Sequence, residues 1–165
     1  MLPDTLVAEA ASLLALLRSK GLKLATAESC TGGLIAAVLT DVPGSSDVFE
    51  RGFVTYSNAA KSESIGVDPA IVTKHGAVSE QTARAMAEGA MAHSAAEIAV
   101  AVTGVAGPGG GSAEKPVGLV HIAAATKNRP TRHERCDFGD LGRSAIREAT
   151  VAEALLMVRD IATRL

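Results

Sequence analysis

The sequence predicts an α/β domain of three layers, α/β/α, built on a mixed but mostly parallel sheet. Three observations carry that expectation. The 165 residues, 47% of them apolar, suffice for one core, so residues 1–165 read as a single domain. Apolar runs of strand length alternate with helical patterns through the first half of the chain. The chain then ends on two strand-like runs joined by a turn and followed by a long helical pattern, which places one antiparallel member in the sheet.

Taken in order, residues 4–20 repeat Leu6, Ala10, Leu13, Leu14 and Leu17 at helical spacing, with Asp4 as the expected N-cap and Gly21 as the stop. Residues 22–28 read as a strand, Ser29 to Gly33 as a turn, and Leu34 to Leu39 as an apolar helix. Residues 41–47 are turn material, and residues 51–57 form a short strand. Ala59 to Ile65 gives one or two helical turns, and Asp68-Pro69 opens another helix. Ser79 caps a helix whose face carries Ala83, Met86, Ala87 and Ala90. Residues 97–103 are a buried strand, and residues 104–112 a glycine-rich loop. Strands at 117–126 and 132–138 flank a turn at Asn128-Arg129-Pro130, and a last helix covers about 142–164.

Composition removes several function classes. The net charge is −2 and there is no basic stripe, which speaks against a nucleic-acid partner. Phe49, Phe53, Phe138 and Tyr56 are the aromatic residues, too few for a base-stacking platform. No apolar run approaches the ~20 residues of a membrane span, and no basic flank precedes an apolar stretch as in a signal peptide. Cys30 and Cys136 form no CxxC pair, which suits a cytoplasmic protein without a zinc framework. No metal-ligand spacing occurs elsewhere, so neither metal nor cofactor is expected.

Two glycine-bearing loops, Ser29 to Gly33 and Thr103 to Gly111, follow strands, where open α/β sheets bind ligands. Glycines that simply make tight turns explain either loop alone; two at one sheet edge favour a ligand site. Neither loop is a Walker or dinucleotide fingerprint. The first loop offers Ser29, Cys30 and Thr31 as nucleophiles, with Cys30 also suited to core packing and Thr31 to capping the next helix. No histidine among His75, His93, His121 and His133 falls in a triad pattern; His93 and His133 read as surface residues and His75 is the least easily dismissed. Serine–lysine chemistry remains, with Lys61 one turn after Tyr56, against the ordinary fate of a lone lysine on a surface helix. Arg143 and Arg147 share a face at the start of the last helix, as an anion clamp or a solvated face.

The chain resembles the C-terminal domain of the CinA (competence/damage-inducible, PncC) family. The motifs are Ala27-Glu28-Ser29-Cys30-Thr31-Gly32-Gly33, Gly52-x-x-x-Tyr56-Ser57-Asn58-x-x-Lys61, Gly66-Val67, and Gly76-Ala77-Val78-Ser79. They continue with Thr103-Gly104-x-Ala106-Gly107-Pro108-x-Gly110-Gly111, Lys115-Pro116-Val117-Gly118 and Gly142-Arg143-x-x-Ile146-Arg147, in order over nearly the whole chain. The resemblance implies a fold like anticodon-binding domains and a stand-alone amidohydrolase that converts nicotinamide mononucleotide and water to nicotinate mononucleotide and ammonia. It implies Ser29, Lys61 and Tyr56 as catalytic residues. Thr31, Gly32, Gly33, Thr103, Gly104, Gly107, Gly110, Arg143 and Arg147 are expected to bind substrate, and a homodimer is expected. Alternatives are a non-catalytic nucleotide-binding or regulatory module and a role in DNA uptake, the latter disfavoured by the charge.

Overall fold

The computed structural model describes residues 1–165. In chain order the elements are α1 (Asp4–Ser19), β1 (Leu24–Glu28), α2 (Leu34–Thr40), a 3₁₀ turn (Ser45–Asp47), β2 (Phe49–Val54) and α3 (Asn58–Ile65). They continue with α4 (Pro69–His75), α5 (Glu80–Ala92), β3 (Ile98–Gly104), β4 (Leu119–Thr126), β5 (Arg129–Asp137) and α6 (Arg143–Thr163). The strand order is β2-β1-β3-β4-β5. β1 pairs in parallel with β2 and β3, while β4 is antiparallel to both its neighbours, so β4 alone runs against the rest.

Period-two alternation sorts the sheet into two unlike faces. Leu24, Ile98, Val100, Val102, Val120 and Ile122 point to the side covered by α1, α2 and α6. Ala25, Ala27, Ala99, Ala101, Ala123 and Ala125 point to the other side, under α5. Alanine has no bulk to hold a helix away, so α5 lies close on that face with its own Ala83, Ala87 and Ala90 inward. On its other side α5 packs tightly on α3, where a Cβ at Gly89 would collide with the Ile65 carbonyl.

Several boundaries differ from the pattern reading. Pro3, not Asp4, is the residue before α1, and Asp4 sits in the first turn. β1 begins at Leu24, and β2 is shifted to Phe49–Val54 by its pairing with β1, which leaves Thr55, Tyr56 and Ser57 beyond the strand. The β4–β5 turn is made at Asn128, which has φ of 65°, and Arg129 and Pro130 belong to β5. Pro130 is tolerated because β5 is an edge strand. Asp68 and Ser79 cap α4 and α5 as expected, accepting from the amides of Ala70 and Thr82.

Candidate active site

The chain leaves β1 toward β2 and returns over the opposite face to β3. Neighbouring strands β1 and β3 therefore feed loops that diverge, which opens a crevice at their carboxyl ends. A cleft of about 280 Å³ lies at that edge, between Ser29 and the glycine loop after β3.

Ser29 is fixed from both sides of the crevice. Its amide donates to the Val102 carbonyl of β3 at 3.1 Å, and its Oγ lies 3.1 Å from Lys61 Nζ. Lys61 projects from α3, which starts where Ser57 Oγ accepts from the Ala60 amide and stops at Gly66 with φ of 69°. The lysine is 1% exposed, not a surface residue. Its Nζ donates to the Thr55 carbonyl at 2.9 Å and approaches the Ser57 carbonyl at 3.5 Å; no carboxylate partners it. Burial holds Lys61 below the usual lysine range, against a weaker opposing pull from the Cys30 thiol.

Cys30 lines the cleft wall but is 8% exposed and belongs to the core cluster; burial pushes its thiol up to about 11. Thr31 does not cap α2. Its hydroxyl donates to Glu28 Oε1 at 2.7 Å, and Gly33, with φ of 100°, is the residue before the helix. Thr31, Gly32 and Gly33 stand behind the cleft rather than on its wall. The Gly32 amide donates to the Ser29 carbonyl, and the Ile35 and Ala36 amides donate to Glu28.

The second loop is arranged differently. Thr103, Gly104, Gly107 and Gly110 all line the cleft. The Thr103 hydroxyl donates to the Ala77 carbonyl at 2.8 Å, which ties the 76–79 turn to β3. The amides of Ala106, Gly107, Gly109, Gly110 and Gly111 have no acceptor within the chain. Arg143, the first residue of α6, donates to the Gly107 carbonyl at 2.7 Å and to the Tyr56 hydroxyl at 3.1 Å, and so bridges the mouth. Tyr56 is 62% exposed there and touches neither Ser29 nor Lys61 by hydrogen bond. Arg147 is not on the wall; it donates to the Thr31 carbonyl at 2.8 Å and braces the Ser29 turn from behind.

No group of three or more His, Cys, Asp or Glu side chains is placed to hold a metal ion. His75 lines a different hollow, beside α5. His133 is half-buried, not a surface residue: its Nε2 lies 2.9 Å from His121 Nδ1 and its Nδ1 3.6 Å from Glu80. Burial, then the neighbouring His133, brings His121 down to about 4. The pattern reading assigned no part to Glu28, whose signal was an acid closing an apolar strand directly before a serine.

Fold and site together define a class: an α/β/α domain with a serine against a buried lysine at its switch point, faced by a glycine loop with unfilled amides. The chain belongs to the CinA family, whose C-terminal domain model matches residues 7–162. It is 51% identical over 144 residues to a CinA-like protein of Akkermansia muciniphila, a match covering 87% of this chain and 34% of that protein. The chain spans about a third of the length of the curated relatives it matches. Among solved structures, it is similar to the competence/damage inducible protein CihA from Agrobacterium tumefaciens, with 52% identity, a TM-score of 0.93 and 96% of each chain covered. A CinA superfamily protein from Klebsiella pneumoniae superposes with a TM-score of 0.92 at 29% identity, covering 97% of this chain and 99% of that one. No helix is long and apolar enough to cross a membrane.

Proposed function

We propose that this domain hydrolyses the carboxamide of nicotinamide mononucleotide to nicotinate mononucleotide and ammonia, a step of pyridine-nucleotide recycling. The observation that carries the reading is the Lys61 amine, buried, without a carboxylate and 3.1 Å from Ser29 Oγ. A neutral amine has two N–H groups and one lone pair. With the N–H groups engaged by the Thr55 and Ser57 carbonyls, the lone pair is left to the Ser29 hydroxyl.

Ser29 Oγ attacks the carboxamide carbon while Lys61 takes its proton, and the carbonyl π pair moves onto oxygen. The amide of Cys30, next to the nucleophile, on the cleft wall and without an oxygen partner in the chain, supplies a donor for that oxyanion. Collapse breaks the C–N bond, and the Lys61 ammonium gives its proton to the leaving ammonia. Water then attacks the acyl ester; Lys61 accepts the water's proton and returns one to Ser29 as nicotinate mononucleotide leaves. The chain's own groups carry every proton, so the reaction is proposed as metal-independent.

The other loop holds the substrate's anionic end. Its unfilled amides and the Arg143 guanidinium offer charge-assisted donors to a phosphate. The cleft, about 280 Å³, sits at the small end of small-molecule sites, roughly 300–1,000 Å³. That size suits a ring bearing a carboxamide. Ammonia release from nicotinamide mononucleotide by the purified protein, with and without a chelator, is the test. Equal release with and without chelator is expected, and its loss in Ser29→Ala. No release from the wild type rejects the reading; release that persists in Ser29→Ala rejects Ser29 as the nucleophile.

A further inference from the structure

We infer that Glu28 is the positioning residue of the site: its buried carboxylate holds the Ser29 turn and its backbone holds the carbonyl that orients Lys61. The side chain is 1% exposed, and both oxygens are used. Oε1 accepts from Thr31 Oγ1 at 2.7 Å and from the Ile35 amide at 2.8 Å; Oε2 accepts from the Ala36 amide at 3.0 Å. Three donors on one carboxylate fix the path from residue 28 to residue 36, and Ser29 lies inside that path. The Glu28 carbonyl accepts the Thr55 amide at 2.9 Å, and the Thr55 carbonyl in turn accepts from Lys61 Nζ at 2.9 Å. One residue thus links the nucleophile and the base through separate groups.

The arrangement also divides the labour of the two loops. An internal anion already occupies the first amides of α2, so they are not offered to the substrate. The Glu28 charge is directed at α2 and Thr31, and Lys61 has no hydrogen bond to it. A carboxylate paired with Lys61 would hold the amine protonated and idle. Placed one residue before Ser29 but turned to the other face, Glu28 supplies rigidity without that charge pairing.

The inference rests on the serine–lysine reading above, so one arm of the test is independent of it. Amide hydrogen exchange of the wild-type protein, followed by NMR, should show Ile35 and Ala36 protected and Gly33 fast. The early amides of a helix otherwise lack acceptors. Fast exchange at Ile35 and Ala36 overturns the inference whatever the substrate.

The second arm uses Glu28→Gln, which keeps the volume but sets an amide donor against an amide donor. With nicotinamide mononucleotide, kcat should fall about 10²-fold with KM little changed, the cost of a small misplacement of the reacting groups. Labelling of Ser29 by a fluorophosphonate should slow in parallel. The Glu28→Gln/Lys61→Ala double variant should be no slower than Lys61→Ala, since both changes act through one pair. Wild-type labelling in folded Glu28→Gln, or additive losses, sinks the idea. Should Glu28→Gln fail to fold, Thr31→Val removes one of the three donors, and a smaller fall in kcat and labelling is expected; an unchanged rate counts against the inference.

Discussion

The Ser29 turn and the 104–111 loop follow adjacent parallel strands, are rich in glycine and face the same cleft, yet their backbone amides are spent differently. In the first, Glu28 fills the start of α2 and the Gly32 amide is turned back on Ser29. In the second, five amides have no partner within the chain. The difference comes from a side chain, not from the glycines. An acid at the end of β1 reaches forward into its own loop, while near the end of β3 the Thr103 hydroxyl reaches sideways to Ala77. A turn whose path is tied down through an internal carboxylate is held in place and suits a nucleophile. An unsaturated loop costs stability and is kept where a ligand's oxygens complete it.

The largest effects should come from breaking the chemical loop. Ser29→Ala and Lys61→Ala should each lower kcat by roughly 10³-fold or more, and the double variant should be little worse than either. Steady-state kinetics on the three variants checks this. If the double variant loses the product of the single losses, the two side chains do not act as one unit. If Lys61→Ala is dead while Ser29→Ala retains activity, water attacks directly.

Breaking the other loop should act on binding. Arg143→Ala removes a guanidinium from the mouth and should cost about 1.5–3 kcal/mol in kcat/KM, mainly through KM. Free nicotinamide, lacking the phosphate, should be a far poorer substrate than the mononucleotide. Comparable kcat/KM for the two compounds would mean that the open amides do not bind the anion.

A smaller and graded effect follows from the lysine's environment. Its pKa is lowered by burial, and only the neutral amine can accept the Ser29 proton. Below that pKa the neutral fraction falls tenfold per pH unit, so log kcat/KM should rise with a slope of about one and then level off below pH 10.5, the ordinary lysine value. The same shift bears on stability. The unfolded chain keeps the Lys61 proton to higher pH than the folded one, so stability rises with pH through the interval between the two pKa values. Lys61→Met should therefore raise Tm at neutral pH while abolishing turnover, and thermal melts at two pH values would show it. A pH-independent rate, or a lower Tm for Lys61→Met, contradicts a buried lysine whose pKa is lowered.

How much of this was legible in the sequence depended on whether the signal was local. Asp68-Pro69 and Ser79 announce their helices because a cap needs only the residues beside it. The alternation of Ile98, Val100 and Val102 with Ala99 and Ala101 gave β3 directly. The limits of β2 were not local: its register is set by β1, a partner some 25 residues away, and the strand ends before Tyr56. The serine–lysine option was visible only as two residue types 32 positions apart; their contact depends on β1 and α3 meeting at the sheet edge. Arg143 and Arg147 look alike on a helical wheel, but the cleft ends between them, so one faces it and the other buttresses Thr31. Glu28 was hidden because an acid in a strand is ordinarily read as exposed, and its partners come from the next helix.

The smallest expected effect concerns Cys30, and it sharpens the comparison most. It directly follows Ser29, lines the same cleft and carries the intrinsically better nucleophile, so a thiol amidase is the natural rival. The physics of the site opposes it. The thiolate is the reactive form, and burial pushes the Cys30 thiol up to about 11. At pH 7 only about one part in 10⁴ is then thiolate. The sulfur packs with the core cluster and has no base of its own, whereas Lys61 Nζ reaches Ser29 Oγ. Cys30→Ala should thus keep kcat within a few-fold of wild type and lose mainly packing, about 1 kcal/mol of stability. Iodoacetamide at neutral pH should label Cys30 slowly and leave activity in step with the unlabelled fraction only insofar as the adduct blocks the cleft. A dead Cys30→Ala with normal folding, beside an active Ser29→Ala, would transfer the nucleophile by one residue and make the rigid turn serve a thiol instead.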